Sequence, residues 1–186
     1  KYLVVGPSGG GKSTLLKLLR KYFSPQQGTI LIDGVPLSKV TKASYYDLIA
    51  NVEQNVFLFE DTLIHNLCLY KEYTKEQIDD AIEKAGLTQF VTSHPDGLNR
   101  MIYDNGKNLS GGERSRIAIA RGLLQKAKII FLDEAFSSLD ATVAREIEKT
   151  LLSLKQITVI NVSHVVFEET KPLYNRIMTI GKSPSY

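Results

Sequence analysis

The 186 residues include one cysteine, Cys68, which excludes an intramolecular disulfide and a cysteine-based zinc site and fits the reducing cytoplasm. No apolar run approaches the roughly 20 residues that cross a bilayer; the longest, Ile129 to Leu132 and Ile157 to Ile160, belong to buried strands. Neither charge dominates, since 23 Lys and Arg against 20 Asp and Glu leave a formal net charge of +3. That balance gives no electrostatic case for a nucleic-acid partner, which calls for a clustered basic patch. Internal repeats, low-complexity tracts and linkers are also lacking, and the six prolines are scattered. The first five residues run straight into a glycine-rich loop, without a signal peptide's apolar stretch. What is there is ordinary globular material, 43% apolar and 23% charged. A single domain of this length removes roughly 70% of its unfolded surface from water.

The apolar pattern alternates between strand and helix. Tyr2 to Val5 is a short strand, followed by a glycine loop and by Leu15, Leu16, Leu18 and Leu19 at helical spacing. Thr29 to Ile32, closed by Asp33-Gly34, and Ile49 to Val52 read as further strands of one sheet. From Leu63 to Gln125 the pattern is helical: Thr74 with Gln77 forms a capping box, Ile78, Ala81, Ile82 and Ala85 share a face, and Gly86 stops the helix. Ile129 to Leu132 lacks alternation, as a strand covered on both faces does. Asp140 caps a helix carrying Val143, Ile147, Leu151 and Leu154, and Ile157 to Val162 is a second covered strand ending at Ser163-His164. This order predicts an α/β fold with a parallel sheet and an inserted helical lobe over about 58–124, the core lobe being about 1–57 and 125–186. The segment 182–186, KSPSY, reads as a frayed tail.

Three motifs carry chemistry. Gly6-Pro7-Ser8-Gly9-Gly10-Gly11-Lys12-Ser13 fits GxxxxGK[ST], placed after a strand and opening a helix. Its glycines let backbone N–H groups converge on phosphates at a helix N-terminus. Lys12 is then placed for the β- and γ-phosphates and Ser13 for Mg²⁺. Asp133 and Glu134 stand at the carboxyl end of a buried strand, the edge where open α/β sheets bind ligands. Asp133 can hold Mg²⁺ directly or through water and Glu134 can accept a proton from the attacking water; a plain helix cap is the alternative for this pair. Asn108 to Arg114 puts Ser110 and two glycines before a helical stretch, a second anion-binding N-terminus or simply a cap. A second phosphate site without its own lysine loop makes sense if it closes on the nucleotide of another copy.

Together these motifs resemble the nucleotide-binding domain of an ATP-binding cassette (ABC) protein, a P-loop NTPase with a RecA-like core. GPSGGGKST, through Thr14, resembles the family's Walker A motif, IIFLDE its Walker B, and LSGGE, Leu109 to Glu113, its signature. Gln54 resembles the Q-loop glutamine, Ser137-Ser138-Leu139-Asp140 the D-loop, and His164 the switch histidine. The resemblance implies ATP and Mg²⁺ as ligands, the metal held by Ser13, Gln54 and Asp133. It implies Glu134 polarising the water, His164 holding the γ-phosphate and Gln54 linking the site to transmembrane domains. It also implies a head-to-tail pair in which each Walker A loop faces the other copy's Leu109 to Glu113, at the cytoplasmic face of a cell membrane.

Phe57 to Leu67, with LFxxTxxxN spacing, resembles the exporter branch, so ATP-driven export is the leading expectation. A soluble, translation-type ABC ATPase is the alternative. The family pattern is departed from in three places. Tyr103-Asp104 stands where the exporter x-loop has Gly-Glu, and Glu113 where glutamine is commoner. Only five residues precede Gly6, so the antiparallel strands and the adenine-stacking aromatic of the family are expected to be missing, as in a piece of a larger protein. His65 and His94 match no motif.

Overall fold

Five short strands, β1 (Tyr2–Val5), β4 (Ile49–Val52), β5 (Ile129–Asp133), β6 (Thr158–Val162) and β7 (Arg176–Thr179), lie parallel in the order β4-β5-β6-β1-β7. The computed structural model describes residues 1–181, and the expected frayed tail lies outside the described residues. Both faces of the sheet are covered, which explains the unalternating runs. On one face Val4, Ile49, Phe131 and Val162 pack with Leu16 of α1 (Lys12–Leu19), Leu37, and Tyr45 of α2 (Lys42–Tyr46). Tyr45 is fully enclosed, and its hydroxyl donates to the Leu19 carbonyl at 2.7 Å. The other face, Leu3, Ala50, Val52, Ile130, Leu132 and Val159, joins one larger core.

That larger core runs continuously into the helices between residues 63 and 124: α3 (Leu63–Cys68), α4 (Lys75–Lys84), α5 (Thr88–Thr92) and α6 (Gly111–Leu124). α7 (Ala141–Ser153) completes the layer through Ala144, Ile147, Leu151 and Leu152. Helix ends follow their sequence signals. Thr74 and Gln77 exchange side-chain and backbone bonds at α4, and Gly86 (φ 67°) follows its end. Asp140 accepts the Thr142 and Val143 N–H groups at α7. Among the described residues no helix is long and apolar enough to cross a membrane.

Two features differ from the sequence expectation. The run Thr29 to Ile32 is not part of the parallel sheet; only β2 (Leu31–Ile32) is a strand, and it pairs antiparallel with β3 (Val35–Pro36). Asp33 (φ 48°) and Gly34 (φ 80°) fold the chain back within two residues, so the run meets its own continuation. β7, in contrast, has no sequence signal. Its RIMT is not a continuous apolar run, because an edge strand leaves part of its surface in water.

A buried polar cluster ties α7 to β6 and to the chain beyond His164. The carboxylate of Glu148, 3% exposed, accepts from Asn161 Nδ2 at 3.0 Å, from the Tyr174 hydroxyl at 2.5 Å and from the Thr170 hydroxyl. Burial and the adjoining carboxylate push the Tyr174 hydroxyl pKa well up. Three satisfied donors make this carboxylate tolerable in the core; its removal strips the Tyr174 hydroxyl of its acceptor and leaves Asn161 only the Tyr174 oxygen and Thr170 only the Phe167 carbonyl. Glu148→Ala is therefore expected to destabilise the fold by about 3 kcal/mol, and Tyr174→Phe by about 1 kcal/mol. Urea unfolding of the two variants measures both, and equal, small losses would count against the cluster as a unit.

Candidate functional site

Parallel pairing lines up the functional turns before any side chain is considered. Val4 of β1 is level with Val162 of β6, and Val162 with Asp133 of β5; Val52 of β4 is level with Leu132. The carboxyl ends of four adjacent strands therefore open on one edge, carrying Gly6, His164, Asp133-Glu134 and Gln54. The ladder continues past the strand ends, with Ser163 N–H donating to the Val4 carbonyl at 3.3 Å and Glu134 N–H to the Val162 carbonyl at 2.9 Å.

The loop Gly6 to Gly11 feeds α1, whose N-cap Gly11 is left-handed (φ 100°) and whose first turn holds Lys12, Ser13 and Thr14. Ser13 and Thr14 are exposed, while Lys12 is buried and donates to the Gly6 and Pro7 carbonyls at 2.8 and 2.9 Å. Its ammonium thus folds back onto its own loop. Gly6 has no substitute here: its φ is 150°, and a Cβ would stand 1.8 Å from the Ile180 carbonyl oxygen. That contact exists because Ile180 N–H bonds the Val5 carbonyl at 2.8 Å, so the end of β7 fixes the floor of the loop.

Ser13, Gln54, Asp133 and Glu134 line one cavity of about 370 Å³, together with Lys17, Arg20 and Glu53. Burial pushes the Asp133 carboxyl pKa up; Arg20 opposes the shift, and Glu134 and Glu53 add to it. Glu134 sits at φ 51°, a left-handed conformation that costs a non-glycine residue about 1 kcal/mol or more. The turn aims its carboxylate at His164, whose Nε2 lies 2.9 Å from Glu134 Oε1. The acid, the histidine and the cavity are thereby brought together from two neighbouring strands.

Leu109 to Glu113 and Ser137 to Asp140 lie elsewhere, packed on each other. None of these residues is among those lining the cavity. A Cβ on Gly111 would meet Ser138 Cβ at 2.8 Å, and one on Gly112 would meet Leu139 Cδ2 at 2.9 Å, so the paired glycines admit the 137–140 turn. Ser110 caps α6 by accepting the Glu113 N–H, while Glu113 accepts the Ser110 N–H at 2.7 Å. The acidic side chain thus occupies a donor at the helix N-terminus, where the dipole favours it.

Sequence reasoning missed three residues around the site. Arg20 and Glu53 form an ion pair at its inner wall, 3.1 Å between Nη1 and Oε1. Arg121 is tied to Phe57 and Asn66, donating to the Phe57 carbonyl at 2.7 Å and to Asn66 Oδ1 at 2.9 Å, and burial pushes its pKa down to about 10. Asn66, fully buried, also accepts from the Phe59 N–H at 2.9 Å, which accounts for the asparagine in the LFxxTxxxN segment. Arg20 and Arg121 occupy positions that helical periodicity assigns to plain surface or core, so only the burial of Arg20 and the hydrogen bonds of Arg121 reveal them. His65 of α3 pairs with Asp61 at 2.8 Å and is not among the residues lining the cavity.

The comparisons with known proteins agree with this geometry. A family model described as ABC transporter matches residues 1–137. The chain is 40% identical over 162 residues to a protein of Burkholderia thailandensis named ATP-dependent lipid A-core flippase, covering 87% of this chain and 27% of the relative. A protein of the same name from Francisella tularensis subsp. holarctica is 40% identical over 163 residues, covering 86% and 27%. Among solved structures, a bacterial Atm1-family ABC exporter with ATP bound is similar with a TM-score of 0.88 at 32% identity, covering 96% of this chain and 32% of that one. The chain spans about a quarter of the length of the curated relatives it matches. It belongs to the ABC transporter family, of which it is the nucleotide-binding domain.

Proposed function

We propose that this chain is the ATP-hydrolysing motor of a membrane exporter, working as one of a head-to-tail pair at the cytoplasmic face of a cell membrane. The observation that carries this reading is the cavity on which the Walker A helix, Gln54, Asp133 and Glu134 converge, with His164 Nε2 2.9 Å from Glu134 Oε1. Gly6 to Thr14 would cradle the triphosphate, and Lys12 would exchange the Gly6 and Pro7 carbonyls for phosphate oxygens. The Ser13 hydroxyl, the Gln54 amide oxygen and the Asp133 carboxylate are oxygen donors, the set that suits Mg²⁺. The metal, when bound, neutralises charge on the transferring phosphoryl group. Glu134 orients and deprotonates the water, and His164 moves from Glu134 to the γ-phosphate.

The signature, Leu109 to Glu113, does not line its own chain's cavity, which supports a second copy supplying Ser110, Gly111 and Gly112 to the nucleotide. The D-loop, Ser137 to Asp140, travels with it through the close glycine contacts. A transmembrane partner fits the adjoining groove of about 510 Å³, lined by Tyr46, Asn51, Phe57, Phe59 and Arg121. Phe57 and Phe59 stand exposed in a T-shaped pair at its rim. Tyr22, Glu53 and Asn55 line both groove and cavity, so a partner seated there would push directly on the walls of the ATP site. The flippase and exporter names of the relatives support outward transport.

In the full-length protein, Glu134→Gln is expected to keep ATP binding and to lower turnover by roughly 10²- to 10⁴-fold, accumulating an ATP-bound pair. Phosphate release and size-exclusion chromatography measure the two; undiminished hydrolysis removes Glu134 from the role. Ser110→Arg and Lys12→Ala should each be inactive, yet mixed subunits should regain hydrolysis, because one of the two shared sites is then intact. No gain on mixing would refute a site built from two chains.

A further inference from the structure

Arg20 closes the C-terminal end of α1 with its side chain 3% exposed. Its Nη1 lies 3.1 Å from Glu53 Oε1 and 3.6 Å from Asp133 Oδ2, and its Cζ stands 5.7 Å from the centre of the Phe131 ring. Nε and Nη2 are buried without a hydrogen-bond partner. A guanidinium held dry with two unmet donors is costly, and an apolar side chain against Phe131 would serve packing better. Stability alone therefore does not explain this residue. The cavity it faces does, because its charged lining is Glu53, Asp133 and Glu134 against Lys17 and Arg20, and Lys17 is exposed to screening water. Among the described residues that line the cavity, Arg20 is the one desolvated cation facing those carboxylates.

We infer that Arg20 is a resident counter-ion that neutralises the Glu53–Asp133 pair in the nucleotide-free protein, so that a divalent cation binds only together with the nucleotide's phosphates. This rests on the reading of Asp133 as a metal-facing residue. Among the described residues no three carboxylates stand close enough to form a metal site by themselves, yet without a buried cation the summed charge of Glu53, Asp133 and Glu134 around the cavity would favour a hard divalent ion beside Asp133. The guanidinium subtracts from that attraction at less than 4 Å from both oxygens. A triphosphate restores the missing negative charge, and Asp133 can then turn from Arg20 to the metal. Arg20 acts through Asp133 and is a positioning residue, with no contact to the reacting atoms required.

The test is a calorimetric titration of the full-length protein with Mn²⁺, without nucleotide, alongside a titration with ATP in a chelator. Arg20→Met is expected to tighten nucleotide-free Mn²⁺ binding by about tenfold while metal-free ATP binding weakens less than about threefold. Arg20→Lys, which keeps the charge, should stay within about twofold of the wild type. Unchanged Mn²⁺ affinity in a folded Arg20→Met variant overturns the proposal and leaves a packing role. If that variant does not fold, Glu53→Gln decides, because it gives Arg20 wholly to Asp133: Mn²⁺ binding should weaken about threefold or more, and no weakening overturns the proposal. Failure of the wild type itself to bind ATP would instead defeat the functional reading beneath it.

Discussion

The parallel ladder through β4, β5, β6 and β1 is the constraint on which the rest of this structure depends. Because Val4, Val162 and Asp133 are level, the turns that follow them begin in step, and the ladder bonds from Ser163 and Glu134 carry that register into the turns themselves. A strand slipped by one residue would exchange its two faces and place Asp133 against a helix layer. Register is held by burial on both sides, with Leu3, Ile130 and Val159 in one core and Val4, Phe131 and Val162 in the other. The edge strand β7 completes the arrangement by pressing Ile180 against Gly6, which shapes the loop from below.

Two arginines, Arg20 buried and Arg121 partly buried, show how the same chemistry serves two ends. Arg121 spends its donors on Asn66 and the Phe57 carbonyl and joins α6 to the segment that rims the groove. Arg20 leaves two donors unmet and faces carboxylates instead. A cation with every nitrogen hydrogen-bonded is a structural tie, whereas one with buried, unbonded nitrogens beside a cavity signals an interaction that changes. Arg20 lines only the cavity, and Tyr22, Glu53 and Asn55, which line both cavity and groove, stand beside it.

Much of the fold was legible because local rules and tertiary packing agree. The covered strands, the Thr74–Gln77 box, the Asp140 cap and the stop at Gly86 are read within a few residues and recur in the structure as read. Thr29 to Ile32 was misplaced because β propensity says that a run extends and not what it pairs with, and Asp33-Gly34 turns it onto its own continuation. β7 was missed because an edge strand need not be apolar throughout. The motif residues were legible as types in order, yet their grouping was not: Gln54, Asp133 and Ser13 meet only because three strands and a helix end at one edge.

By itself the sequence determined the α/β class, the order of the loops and the chemical groups each presents, since these rest on propensity, periodicity and spacing along the chain. Tertiary structure alone decided that Arg20 and Glu53 belong to the site, that Glu134 adopts a strained turn facing His164, and that the signature glycines are spoken for by Ser138 and Leu139. The physical reason is range. Capping and amphipathicity act over a few residues, whereas desolvation of a charge and exclusion of a Cβ depend on atoms from segments as far apart as Gly6 and Ile180, almost the whole chain.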